Sequence, residues 1–181
     1  MWLLILGFVL FLGAHLSPGV LGLRTTLVNG LGEKRFLGLY IATSVTGMVC
    51  IIVGKAIAPF VNVWFPPLWA PKVTLVFVAV GFILLAALLL PTNIRRLTRH
   101  PMLWGITSWS AGHLLANGDL ASMILFGGFA GYSLISIGSL TRRGAQKSAT
   151  TYAWWQDTSA LAAALGAFAI VLWAHPTLFG V

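Results

Sequence analysis

The chain has 181 residues, 59% of them hydrophobic and only 8% charged, with a mean hydropathy of +0.94. That balance excludes a soluble domain with its apolar residues packed inside and describes one integral membrane unit over residues 1–181. The net charge is +8, but the basic residues fall in short clusters between apolar segments, which excludes nucleic acid as a partner.

From the N-terminus, residues 1–16 are apolar from the second position, with no basic leader and no small-x-small cleavage site, so they read as a retained first span. A crossing takes roughly 20 apolar residues at about 1.5 Å each. Segments 2–21, 36–54, 71–90 and 121–140 meet that length, and 152–175 contains another centred on 161–173. The shorter segment 102–116 is counted as a further crossing. The expectation is an all-α, polytopic membrane helix bundle of about six transmembrane helices.

Charge tests the count independently. With the N-terminus outside, Arg24, Lys34, Arg35, Arg95, Arg96, Arg99, Arg142, Arg143 and Lys147 fall in cytoplasmic loops, and only Lys55 and Lys72 fall outside. Nine against two is a strong positive-inside bias, which places both termini on the outer face of the membrane. Dropping segment 102–116 would turn the last basic loop outward.

The outer loop 56–71 carries Trp64, Phe65, Pro66, Pro67 and Trp69, an interfacial cap with aromatic anchors in which proline discourages a regular helix. Asn117-Gly118-Asp119 is a turn signature, and Asp119 is placed to cap the next helix. Gly127 to Gly131 has the small-xxx-small spacing of close helix packing.

A histidine at depth in a bilayer needs a partner, a cavity or a metal. His15 has Phe11 and Phe8 one and two turns before it on the same side, with Gly13, Pro18 and Gly19 nearby. His113 has Trp109 one turn before and Asn117 one turn after, while Gly105 and Gly112 thin its helix. Bulk beside absent bulk suits a flat ligand, and it suits close packing equally. Two imidazoles on different helices can saturate the axial positions of a haem iron. In the topology above their depths differ by on the order of 10 Å for upright helices. His100 before Pro101, and His175 before Pro176, read as interfacial punctuation. Cys50, the single cysteine, excludes an intrachain disulfide and reads as a small buried hydrophobe. The acids are Glu33, Asp119 and Asp157, none clearly inside the hydrocarbon, which disfavours a carboxylate relay or a di-metal site.

The segments Gly13-Ala14-His15-Leu16, Leu21-Gly22-Leu23-Arg24 with Gly38-Leu39-Tyr40, Thr98-Arg99-His100-Pro101-Met102-Leu103-Trp104-Gly105 and Gly112-His113-Leu114-Leu115-Ala116-Asn117-Gly118-Asp119 resemble the NnrU family of bacterial inner-membrane proteins over nearly the whole chain. That family is similar to the plastid 15-cis-zeta-carotene isomerase, a membrane enzyme that uses haem b, and is associated with nitric-oxide and nitrite metabolism in denitrification. The resemblance implies haem b as cofactor and His15 and His113 as metal ligands; Trp109, Gly112, Arg99 and His100 are expected as further cofactor-binding positions. It also implies membrane lipids and a redox or denitrification protein as partners. The isomerase has a cysteine three residues before its second histidine, where this chain has Ser110, so a thiolate ligand switch does not carry over. Two other readings remain: a non-enzymatic accessory or assembly factor, and a membrane methyltransferase using S-adenosylmethionine. The second rests on Arg99-His100-Pro101, but Leu103 stands where that signature has its aromatic, and no glutamate follows Glu33.

Overall fold

The computed structural model describes residues 1–19 and 22–179. Among these the helices are α1 (Trp2–Gly19), α2 (Arg24–Leu31), α3 (Glu33–Ala56), α4 (Ala70–Leu89), α5 (Ile94–Leu97), α6 (Pro101–Ala116), α7 (Leu120–Arg142) and α8 (Trp154–Phe179). Four of them, α3, α4, α7 and α8, are long and apolar enough to cross a membrane, which marks a membrane protein. Helices α1 and α6 occupy the other two expected segments at 18 and 16 residues. Val20 and Leu21, the expected end of the first span, lie outside the described residues.

The sequence explains most helix ends. Pro101 opens α6 at a position where its missing N–H is no loss. Asp119 caps α7 as expected, its carboxylate accepting Ser122 N–H at 2.9 Å. The last turn of α4 is capped by Arg95, which donates to the carbonyls of Ala87 and Leu88. Helix α8 departs from expectation. It runs on through His175 and Pro176 to Phe179, because a proline this near the end of a helix removes one hydrogen bond without forcing a stop. The short helices α2 and α5 carry no apolar periodicity and were not legible as elements.

Two backbone seams hold the bundle. In α1–α3, a Cβ at Gly7 would lie 2.6 Å from Ile51 N, one at Gly47 would lie 2.7 Å from Phe11 N, and Gly54 sits directly on Leu4. In α4–α6, a Cβ at Gly105 would lie 3.0 Å from Gly81 O, and the Thr74 hydroxyl donates to Gly112 O at 2.7 Å. Such contact is how helices gain packing where lipid removes the hydrophobic drive. The small-xxx-small pair expected to pack, Gly127 and Gly131, instead faces open space, and their neighbour Gly128 seats the Phe8 ring.

Helix α7 joins the halves. It packs on α6 along much of its length and on α1, whereas α1 and α6 barely meet each other. Leu4, Phe8, Ile51 and Ala121 form the core at this junction. At one end of the bundle Lys55 of α3 bonds Asp119 of α7, and the 57–69 loop lies over the α6–α7 turn, with Val63 N donating to Gly118 O and Leu120 N to Val61 O. At the opposite end Asp157 of α8 meets Thr92 and Asn93 after α4, and His100 meets Thr141. Long helices consecutive in the chain therefore run antiparallel, while α1 and α7 run parallel, Phe8 meeting Phe129 and His15 meeting Tyr132; Arg95, Arg96, Arg99, Arg142 and Arg143 gather at the second end.

A candidate histidine and aromatic site

His15 and His113 are held the same way. The Nδ1 of His15 lies 2.8 Å from Phe11 O, and that of His113 lies 2.9 Å from Trp109 O. A carbonyl can only accept, so in each ring Nδ1 is the donor and Nε2 is the nitrogen not used in this contact. A metal-ligating histidine is oriented in the same way, its second nitrogen fixed by a backbone carbonyl. Both rings also stack, His15 on Phe11 at 4.1 Å and His113 on Phe126 at 4.5 Å between centroids.

Helix α7 supplies an aromatic residue to each level. Tyr132 lies 5.8 Å from His15, Phe126 stacks on His113, and Phe129 between them meets Phe11 at 5.8 Å and Trp109 at 5.9 Å. The rings thus run without a break from His15 through Phe11, Phe129 and Trp109 to His113. Six residues separate Phe126 from Tyr132, so the imidazoles differ in level by about 9 Å along α7, close to the offset expected from the sequence. On the α3 side, Tyr40 stands 5.3 Å from His15.

Two buried hydroxyls have no hydrogen-bond partner among the described residues, Ser44 Oγ and Ser110 Oγ. Ser110 is fully buried, one turn before His113. Ser44 is one turn from Tyr40 and one from Gly47, which places it at the level of His15 in the α1–α3 seam. A buried polar group without a partner costs about 1–3 kcal/mol. Both exceptions flank the candidate ligands.

The other expected site residues divide. Trp109 belongs to the array. Gly112 is taken up by α4, its Cβ position 2.8 Å from Phe77 Cβ. Arg99 and His100 stand at the opposite end of α6, about 19 Å from His113 along the helix axis, where His100 Nε2 lies 3.1 Å from Thr141 Oγ1. Burial, with the Arg99 charge adding to it, lowers the His100 pKa below its ordinary value. No group of three or more metal-binding side chains occurs among the described residues. Sequence reasoning missed Tyr40, Phe126, Phe129, Tyr132 and Ser44. The spacing of three between 126, 129 and 132 was readable as a stripe, but not its partners.

As a haem site, the donor set fits in chemistry: two imidazoles oriented through Nδ1, aromatic walls, and orphaned hydroxyls one turn from His113 on α6 and at the level of His15 on α3. The chain belongs to the NnrU protein family, whose model matches residues 3–181. Comparison with curated proteins and with solved structures finds no match.

Proposed function

We propose that this protein is a six-crossing bacterial inner-membrane protein that binds one haem b between α1 and α6, over α7. The observation that carries the reading is the matched orientation of His15 and His113, both held by Nδ1 to the carbonyl four residues back, which leaves Nε2 of each ring outside that contact. The orphaned Ser44 and Ser110 hydroxyls support it. The crossing number and the periplasmic position of both termini are supported by the grouping of the arginines at the end of the bundle opposite Lys55. When bound, haem supplies a redox-active, Lewis-acidic iron. The chain's part is to orient two imidazoles, surround them with rings that exclude water, and offer hydroxyls that hydrogen-bond what lies beside them. Such a site serves a redox or isomerising step on a small gas or lipophilic polyene, in keeping with a role in nitric-oxide and nitrite metabolism.

Visible spectra of protein purified in mild detergent after haem-sufficient expression test this. A Soret band that is lost or shifted in both His15→Ala and His113→Ala is expected; no band, or one indifferent to both changes, overturns the proposal.

One observation favours a second reading, a non-enzymatic accessory factor in which the histidines only pack. Phe11 and Phe129 fill the interval between the imidazoles. That reading expects no chromophore and a partner protein retained on purification.

A further inference from the structure

At the arginine-rich end of the bundle, the feet of α4 and α8 diverge around an open cavity of about 830 Å³. Ile83 of α4 and Leu161 of α8 give it an apolar wall, and Leu97 also lines it. Its base is polar and carries one charge of each sign, Arg96 and Asp157.

The two charges do not meet. Asp157 is held by neutral donors: Thr92 Oγ1 and Asn93 N both reach Oδ1 at 2.7 Å, and Asn93 Nδ2 reaches Oδ2 at 2.6 Å. A carboxylate has about four acceptor positions, so Oδ2 keeps one. Arg95 is spent on the α4 carbonyls. Arg96, the next residue, has no acceptor among the described residues and lines the cavity. Ser148 is fixed beside it, its backbone N–H on Arg95 O and its Oγ accepting Thr150 N–H, which leaves the Ser148 hydroxyl proton to donate into the cavity.

We propose that this cavity binds a zwitterionic phospholipid whose headgroup joins a phosphate to a primary ammonium. The phosphate lies on the Arg96 guanidinium and the Ser148 hydroxyl, the ammonium on Asp157 Oδ2, and an acyl chain along Ile83 and Leu161 into the bilayer. The presence of both charges selects against a purely anionic lipid, whose headgroup gives Asp157 nothing to bind, and the apolar wall selects for an acyl chain over a soluble headgroup.

Native mass spectrometry of the delipidated full-length protein tests it, with phosphatidylethanolamine, phosphatidylglycerol and soluble phosphoethanolamine as probes. The wild type is expected to retain phosphatidylethanolamine in preference to phosphatidylglycerol and to ignore phosphoethanolamine. Arg96→Gln, an exposed change that leaves the fold alone, weakens both lipids about ten-fold, the scale of one charge-assisted hydrogen bond. Asp157→Asn removes the preference, and Leu161→Trp, which fills the apolar wall without touching the polar base, lowers lipid retention. Equal retention of the two lipids by wild type, indifference to Arg96→Gln, or phosphoethanolamine binding as tight as the lipid overturns the proposal.

Discussion

Lys55 Nζ lies 3.1 Å from Asp119 Oδ1, the oxygen that also caps α7 through Ser122 N–H, so one carboxylate ties the end of α3 to the start of α7. Burial raises the Asp119 pKa, but the Ser122 hydrogen bonds and the Lys55 ammonium outweigh it and hold the group below the ordinary carboxylate value. A depressed folded-state pKa contributes stability that is present above the unfolded value near 3.8 and lost as pH falls through the folded one. Asp119→Ala is expected to cost about 2 kcal/mol at neutral pH, roughly half from the cap and half from the partly exposed ion pair. A double-mutant cycle with Lys55→Met in detergent denaturation separates the two; a coupling indistinguishable from zero removes the ion-pair share.

His100 produces a second acid limb at higher pH. Its folded pKa is depressed by burial and by Arg99, so as pH falls below about 6.5 the unfolded chain takes up a proton that the folded one refuses. Stability therefore drops from pH 6.5 downward, until the folded pKa is reached. In His100→Gln the melting temperature should vary less over that window, and an unchanged slope would place the acid sensitivity elsewhere.

A methyl group at Gly118 would run into the Trp64 carbonyl. Gly118→Ala is expected to destabilise by about 1–3 kcal/mol and to lift the 57–69 loop from the α6–α7 turn. Faster proteolysis within the loop, relative to wild type, is the measurement.

Removing the Ser110 hydroxyl should cost nothing in ligand-free protein. Ser110→Ala deletes a polar atom that has no partner and should be neutral or mildly stabilising, whereas Thr74→Val, whose hydroxyl reaches Gly112 O at 2.7 Å, should lose about 1 kcal/mol. Equal losses in the two variants would show that Ser110 is already satisfied.

Phe129 is the ring between the imidazoles. If haem enters there, trimming the obstruction with Phe129→Leu should tighten haem binding by about five-fold, the equivalent of roughly 1 kcal/mol, and Phe129→Trp should weaken it. Absorbance titration of apoprotein reads both; opposite signs favour the packing role.

The four long apolar helices were legible because length and apolarity leave little freedom at bilayer depth. Their ends followed from single residues: Pro101 at the start of α6, Asp119 at the start of α7. Pro176 misled because a proline's meaning depends on how much helix follows it. The glycines of 127–131 misled for a related reason, since spacing says a close approach is available and not which helix takes it. His15, His113 and Trp109 were visible as polar or bulky exceptions on thin helices. Phe129 and Ser44 were not, because their significance lies in what faces them, and nothing local records that Tyr40 and Tyr132 converge on one imidazole. Gly112 was open to either a ligand or a close helix, and α4 fills the space beside it.

The aromatic residues of α7 have one more consequence. Three residues fall about 60° short of a full turn, so Phe126, Phe129 and Tyr132 climb the helix as a spiral stair and swing through about 120° between the first step and the last. The two imidazoles therefore meet α7 on different sides as well as at different heights. If one flat group were held by both His15 and His113, that difference in side and height would set how it sits, and linear dichroism of oriented membranes would register its orientation directly.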